Sequence, residues 1–322
     1  METNIHYPTD ATLLWDSVRT ITRLVGALHE KLPRGVRGFT NRTRSARRRM
    51  QALQRMTARQ REQQQTPKYR ELIRITGQVV QDAKKAVTAA KRVRQVDVVT
   101  GLAIGELGKQ ILSFCELAGR VIDQTRRRVL QGETVPTEEK VYSIFEPHTD
   151  LIKRGKVLKP VELGHKVFLA ESAHGLITDY RVLEGNPADS DHVPTSLDHH
   201  KELFKQVPDQ YAADRGFYSV ENVQDCKDAG VAQVCIPNRG GQRTAEQVEL
   251  ERSPAFKKGQ RFRAGIEGRI SVLFRGRGMK RCLLKGRARF ELLVGAAVLA
   301  NNLLRIADLL AKQKPKSRRA AA

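Results

Sequence analysis

Gln210-Tyr211-Ala212-Ala213-Asp214-Arg215-Gly216-Phe217-Tyr218-Ser219 runs an apolar segment straight into an acid and a glycine turn. The pattern predicts a short strand, Gln210 to Ala213, that delivers Asp214 to its C-terminal edge, where open α/β sheets place ligands. An Asx turn or a cap before Ser219 explains the same aspartate equally well. Outward from this point, Ser219 to Ala229 reads as a helix and Val231 to Ile236 as a strand closed by Pro237. Upstream, Lys166–Ala170 and Ile177–Val182, separated by Glu171 to Gly175, read as an antiparallel hairpin, and Ser190 to Gln206 as a helix. Val141 to Ile144 is a further β-favouring run. Downstream, Asn238 to Gly259 reads as a polar loop, followed by helices over Arg263–Phe274 and Phe290–Lys312 and a frayed tail from Gln313.

Residues 10 to 130 carry a different period. Leu14, Val18, Ile21, Val25 and Leu28 recur at helical spacing until Pro33, Gly35 and Gly38. A basic helix is expected from Arg42 to Gln65, stopping near Pro67 and exposing all but a narrow stripe of Met50, Leu53 and Met56. Two more follow, Tyr69 to Val99 and Glu106 to Leu130, the latter with Leu107, Ile111, Phe114, Ala118 and Val121 on one face. Gly132 to Pro136 reads as a linker. The expected organisation is a basic helical region over 1–135, an α/β core over 136–290 and a C-terminal helix and tail over 291–322.

Charge narrows the partners. The 322 residues include 58 Lys or Arg against 35 Asp or Glu, a net charge of +23. From Lys31 to Arg61 there are 11 basic residues and no acid; from Lys257 to Arg289 there are 12 basic residues and only Glu267. Gly132 to Cys235 between them is acidic, with 18 Asp or Glu against 11 Lys or Arg. Two compact basic blocks around an acidic middle point to a polyanion, nucleic acid before a membrane surface. Aromatic residues make up 5 %, too few for the stacking platforms of single-strand binders, which counts against an Arg-rich RNA-binding protein. Cys115, Cys226, Cys235 and Cys282 have no C-x-x-C spacing, so neither a zinc site nor a disulfide framework is expected, and a reducing, cytoplasmic setting fits. Met1 to Asp10 lacks the apolar core of a secretory signal. Leu292 to Leu310 is interrupted by Asn301, Asn302, Arg305 and Asp308 and reads as an amphipathic or core helix, so no membrane partner is expected. His192, His199 and His200 read as surface residues. No Gly-x-Ser-x-Gly, phosphate loop or Cys/His pairing supports a serine hydrolase, an NTPase or a cysteine enzyme.

The second acid of interest is Glu267, alone among bases in Arg261-Phe-Arg263-Ala-Gly-Ile-Glu267-Gly-Arg269. On a helix Arg263 lies one turn before it, placed to pair with it or to bind phosphate. An Ala-Asp-x-Gly-Phe strand end followed by Arg-x-x-x-Glu in a basic helix resembles the second and third acids of the DDE transposases of bacterial insertion sequences. Leu163-Gly-His-Lys166-Val-Phe, Ile177 to Val182, Gly185-Asn186-Pro187-Ala-Asp189-Ser190-Asp191, Tyr142 to Asp150 and Met1 to Asp10 extend the resemblance over nearly the whole chain.

The resemblance implies an RNase H-like mixed sheet with a large helical insertion. It also implies three carboxylates holding two Mg²⁺ or Mn²⁺ ions, oxygen donors being suited to such hard cations. The implied substrate is double-stranded DNA at element ends and at a target, cleaved and joined by a homo-oligomer in the nucleoid. It assigns catalysis and metal binding to Asp214 and Glu267. DNA contacts are expected from Arg42, Arg44, Arg47, Arg48, Arg49, Lys166, Arg263 and Arg275. Two departures stand out. Gln260 occupies a position where relatives often carry Tyr, and Phe274 stands where they carry Lys, with Arg275 beside it. The first acid of the family lies on a first strand that would precede Met1. The expectation is therefore a truncated copy lacking that strand and that Asp, with a catalytically inactive DNA-binding remnant as the alternative. Asp10, the nearest acid before a helix, is expected to be its N-cap.

Overall fold

The computed structural model describes residues 1–93, 97–153, 160–241 and 243–313, and divides into two compact units, Ile5–Thr149 and Met1–Asn4 together with Asp150 onward. Most of the elements expected from the sequence are present in both units, with the exceptions given below.

The first unit is helical: α1 (Asp10–Lys31), α2 (Thr43–Gln54), α3 (Ala58–Ala90) and α4 (Val98–Thr125), the last running into a π turn, Arg126–Leu130. Leu14, Val18, Ile21, Val25 and Leu28, the stripe expected on α1, are all buried against Leu72, Val79, Ile111, Ala118 and Val121 of α3 and α4. α2 buries only Ala46, Met50 and Leu53, so Arg44, Arg47 and Arg48 remain exposed.

Local hydrogen bonding overrides several expectations here. The basic helix ends at Gln54, because Thr57 starts α3 with a reciprocal cap: its hydroxyl accepts from the Gln60 amide and its own amide donates to the Gln60 side chain. Pro67 then lies inside α3 on an exposed face, where water can serve the carbonyl that loses its partner. Thr9, not Asp10, caps α1. Asp10 is buried, accepting from Gln124 at 3.1 Å and Arg128 at 2.9 Å. Val141 to Ile144 forms no strand. Its apolar side chains join the helical core, and the Gln124 amide serves the Val141 backbone as a strand partner would, accepting from its N–H at 2.8 Å and donating to its carbonyl.

The second unit is mixed α/β. Its strands are β1 (Glu2–Thr3), β2 (Asp150–Lys153), β3 (Val161–Gly164), β4 (Val167–Glu171), β5 (Ile177–Val182), β6 (Gln210–Ala212), β7 (Gln233–Cys235) and β8 (Arg281–Cys282). Its helices are α5 (Val193–Phe204), α6 (Val220–Asp228), α7 (Ala245–Arg252), α8 (Pro254–Gly276) and α9 (Arg287–Gln313). The strands are shared among three sheets: a four-stranded one in the order β2-β3-β1-β8, the expected β4–β5 hairpin, and a parallel pair β6–β7. The parallel pair is joined through α6, as a parallel pair must be joined by a crossover.

Glu2 and Thr3 themselves form a strand, antiparallel to β3 and parallel to β8. Gly164 permits this, since a Cβ there would collide with the Met1 carbonyl. The segment Asn238–Gly259, expected as a loop, instead holds α7 and the start of α8. Thr244 and Gln247 form a capping box, and Ser253 caps α8 with Pro254 in its first turn. One core gathers Ile177, Leu273, Met279, Phe290, Val294 and Val298; a smaller one gathers Val193, Leu197, Cys226 and Val231. Burial pushes the Cys226 thiol to about 11 and the Tyr211 hydroxyl to about 12, so neither is poised for chemistry.

Candidate functional site

β6 ends at Ala212, and Asp214 follows in extended backbone as the cap of a 3₁₀ turn, Arg215–Phe217. One carboxylate oxygen accepts from the Gly216 amide at 2.7 Å, the Asx turn that was the plain reading of this residue. The other accepts from the Arg263 guanidinium at 3.1 Å. The turn therefore holds the half-buried carboxylate in one orientation while leaving a face open to solvent.

Arg263 stands on α8, one turn before Glu267, and reaches the Glu267 carboxylate at 3.5 Å. A single guanidinium thus links two acids more than 50 residues apart in the chain. The register that allows this is set by Gln260, whose side-chain amide donates to the Ala213 carbonyl at 3.1 Å and also to the Cys235 carbonyl. Gly259 lets α8 come this close, because a Cβ there would fall 2.5 Å from the Cys235 sulfur. Gln260, singled out as a departure from the family pattern, is what ties α8 to the ends of β6 and β7.

Lys166, at the start of β4, donates to the Pro187 carbonyl at 3.0 Å and pairs with Asp189 at 3.3 Å. Asp189 closes over Gly216: a Cβ on that glycine would lie 2.8 Å from the Asp189 carboxylate and 3.0 Å from that of Asp214. Asn222 ties the two turns together, donating to the Ser190 carbonyl at 2.8 Å and the Phe217 carbonyl at 3.0 Å. The structure therefore brings together Lys166, Asp214, Arg263 and Glu267, and adds Asp189, which sequence reasoning read only as part of a loop. The Asn186-Pro187 turn just before Asp189 marked a sharp reversal, yet nothing local said which strand end it would meet.

Arg275 lies two turns beyond Glu267 on α8 and is exposed. Of the basic residues expected on DNA from the helical unit, Arg44, Arg47 and Arg48 are exposed, whereas Arg42 pairs with Asp82 and Arg49 with Glu71. His192 packs against the Phe168 ring, and desolvation first, then Arg181, hold its pKa below the usual value. That environment disfavours a protonated imidazole and fits a packing role.

The carboxylates of Asp214 and Glu267 are oxygen donors of the kind that hard divalent cations take. Arg263 is bonded to both, and among the described residues no three His, Cys, Asp or Glu side chains are grouped to hold an ion. As it stands, the constellation is two acids balanced by a guanidinium, flanked by a second Lys–Asp pair, beside an exposed basic helix.

Residues 155–303 match the family model described as the transposase DDE domain, a span that contains every residue of this constellation. No curated protein and no solved structure matches the chain.

Proposed function

We propose that this chain, whose residues 155–303 match the transposase DDE domain, is an insertion-sequence transposase that binds double-stranded DNA and cleaves and joins strands at element ends. The observation that carries the reading is the convergence of Asp214 and Glu267 on Arg263 at the end of β6. We take the α/β unit to be RNase H-like, with Asp214 and Glu267 as the residues that would hold Mg²⁺ or Mn²⁺. A bound metal pair supplies activation of the attacking hydroxyl and stabilisation of the leaving oxygen in an in-line displacement.

The chain's own contribution is to orient. The Gly216 amide fixes one oxygen of Asp214, Gln260 fixes the helix that carries Glu267, and Arg263 offsets the repulsion between the two acids. Lys166 and Arg275 present cations beside the site, where a phosphate backbone would be received.

The test is cleavage of duplex DNA carrying the element's own ends, with Mg²⁺ present, by the full chain and by Asp214→Asn and Glu267→Gln. Cleavage by the parent chain and its loss in both variants, with DNA binding retained, is the expected result. Cleavage that survives in Asp214→Asn overturns the assignment. A second reading, a DNA-binding protein that does not cleave, is favoured by the pairing of Arg263 with both acids and by the absence of a third grouped ligand among the described residues. It predicts binding without cleavage by the parent chain.

A further inference from the structure

Helix α9 has two apolar faces, and only one of them is used. Phe290, Val294, Ala297, Val298 and Asn301 point into the core of the α/β unit. Asn302 fastens the helix to the edge of β5, accepting from the Ile177 amide at 2.9 Å and donating to its carbonyl at 2.8 Å. On the opposite side, Leu292, Leu299, Leu303, Ile306 and Leu310 are 70, 60, 57, 42 and 56 % exposed. With Ala296 among them, these positions follow one another at intervals of four, three, four, three and four residues. At 100° per residue they all fall within about 40° of one line along the helix. That is a heptad seam of a and d positions, kept over nearly three heptads and covered by nothing among the described residues.

A stripe of this kind is not the ordinary scatter of surface leucines. Five side chains exposing roughly 100 Å² each give about 500 Å² per copy, toward the upper end of the largest apolar patch on a typical monomer, where such patches are often functional, and about 1,000 Å² across a pair, the lower bound for a specific interface.

We infer that α9 is the self-association surface of this protein, pairing antiparallel with α9 of a second copy about a two-fold axis near Asn301. The residues decide both the occupant and the direction. Antiparallel pairing about that point puts Leu299 against the partner's Leu303, Ala296 against the partner's Ile306, Leu292 against the partner's Leu310 and Arg289 against the partner's Gln313. Every layer then joins two apolar residues, small against large in one case, and the outermost layer is polar at both ends. Parallel pairing would instead set Arg289 against the partner's Arg289 and Ala296 against the partner's Ala296, a like-charge contact and a void in one seam. The flanking positions Ala300 and Ala307 are small and let a second helix approach, while Gly295 and Asn302 on the other flank are occupied by Tyr180 and the edge of β5. This deepens the oligomer part of the reading above. Its failure would leave the cleavage assignment standing, since the seam shares no residue with Asp214 or Glu267.

α9 is also long and apolar enough to cross a membrane by length and composition, so a lipid surface is the competing occupant. The experiment uses the purified full chain. Sedimentation equilibrium should give twice the chain mass, and Leu303→Glu should weaken the dimer about tenfold or more with an unchanged circular-dichroism spectrum. A mixture of Leu299→Cys and Leu303→Cys chains should cross-link under mild oxidation far faster than Leu303→Cys alone. A monomer at micromolar concentration, a dimer indifferent to Leu303→Glu, or faster cross-linking of Leu303→Cys alone overturns the proposal. So does co-sedimentation with anionic phosphatidylglycerol vesicles that Leu303→Glu abolishes while the protein in solution stays monomeric.

Discussion

Gly216 is the residue on which the constellation turns. It sits between two carboxylates, and a methyl group there would come within 2.8 Å of one and 3.0 Å of the other. The first is closer than a Cβ contact tolerates and the second is tighter than most, so Gly216→Ala must move the Asp189 carboxylate, Asp214 or the turn between them. The expected outcome is loss of DNA cleavage by at least about tenfold, since sub-ångström placement of a reacting group controls rate, with a fold that remains intact in thermal melting. Unchanged cleavage by this variant would mean that the Asp189 approach is incidental to the site. At this scale the sequence was informative where chemistry is carried by residue type. An acid at a strand end and a lone acid among bases were both visible. Asp189 was not, because its role comes from a contact across the fold, between turns more than 20 residues apart.

Among the elements, α8 does most to build the site. Its N-terminal capping signals, Ser253 and Pro254, were present in the sequence but stood inside a polar stretch that reads as loop. Helical spacing beyond Arg263 was clear. What placed the helix was Gln260, whose amide spans the carbonyls of two strand ends. Gln260→Ala leaves both carbonyls without that donor and should lower the stability of the α/β unit by about 1–2 kcal/mol. Urea denaturation followed by tryptophan-independent circular dichroism would measure it, and a change below about 0.3 kcal/mol would show that water replaces the amide without cost. The helical unit shows the converse. The α1 stripe from Leu14 to Leu28 was legible because one face of a long amphipathic helix is written in a single period. The break between α2 and α3 depended on one reciprocal cap, and the β-favouring run at Val141 was claimed by Gln124 from another element.

For the whole molecule, charge is the strongest statement. One basic block lies in the helical unit, centred on α2, and the other runs through α8 to the start of α9. If both meet a phosphate backbone, affinity for duplex DNA should fall steeply with salt, by roughly 10³–10⁵ between 50 and 200 mM for about 6–10 phosphates neutralised. Replacing the exposed Arg44, Arg47 and Arg48 with Ala should lower the log–log salt slope by about 2–3. Titrations at four salt concentrations would measure this, and an unchanged slope would take α2 out of the DNA contact. Arg42 and Arg49 are already neutralised by Asp82 and Glu71 and should contribute less.

The sequence by itself determined the two structural periods, the helical unit and the α/β unit, the hairpin, the two clusters of positive charge and the two acids that Arg263 joins, because each is a property of local composition or spacing. Tertiary structure decided which acids meet, what holds α8 in register, how the strands divide among three sheets and which face of α9 is left bare. Those outcomes depend on contacts between residues far apart in the chain. A one-dimensional pattern shows that α9 is rich in apolar side chains with a few polar interruptions; only packing shows that one face is already spent on the core and another is left bare.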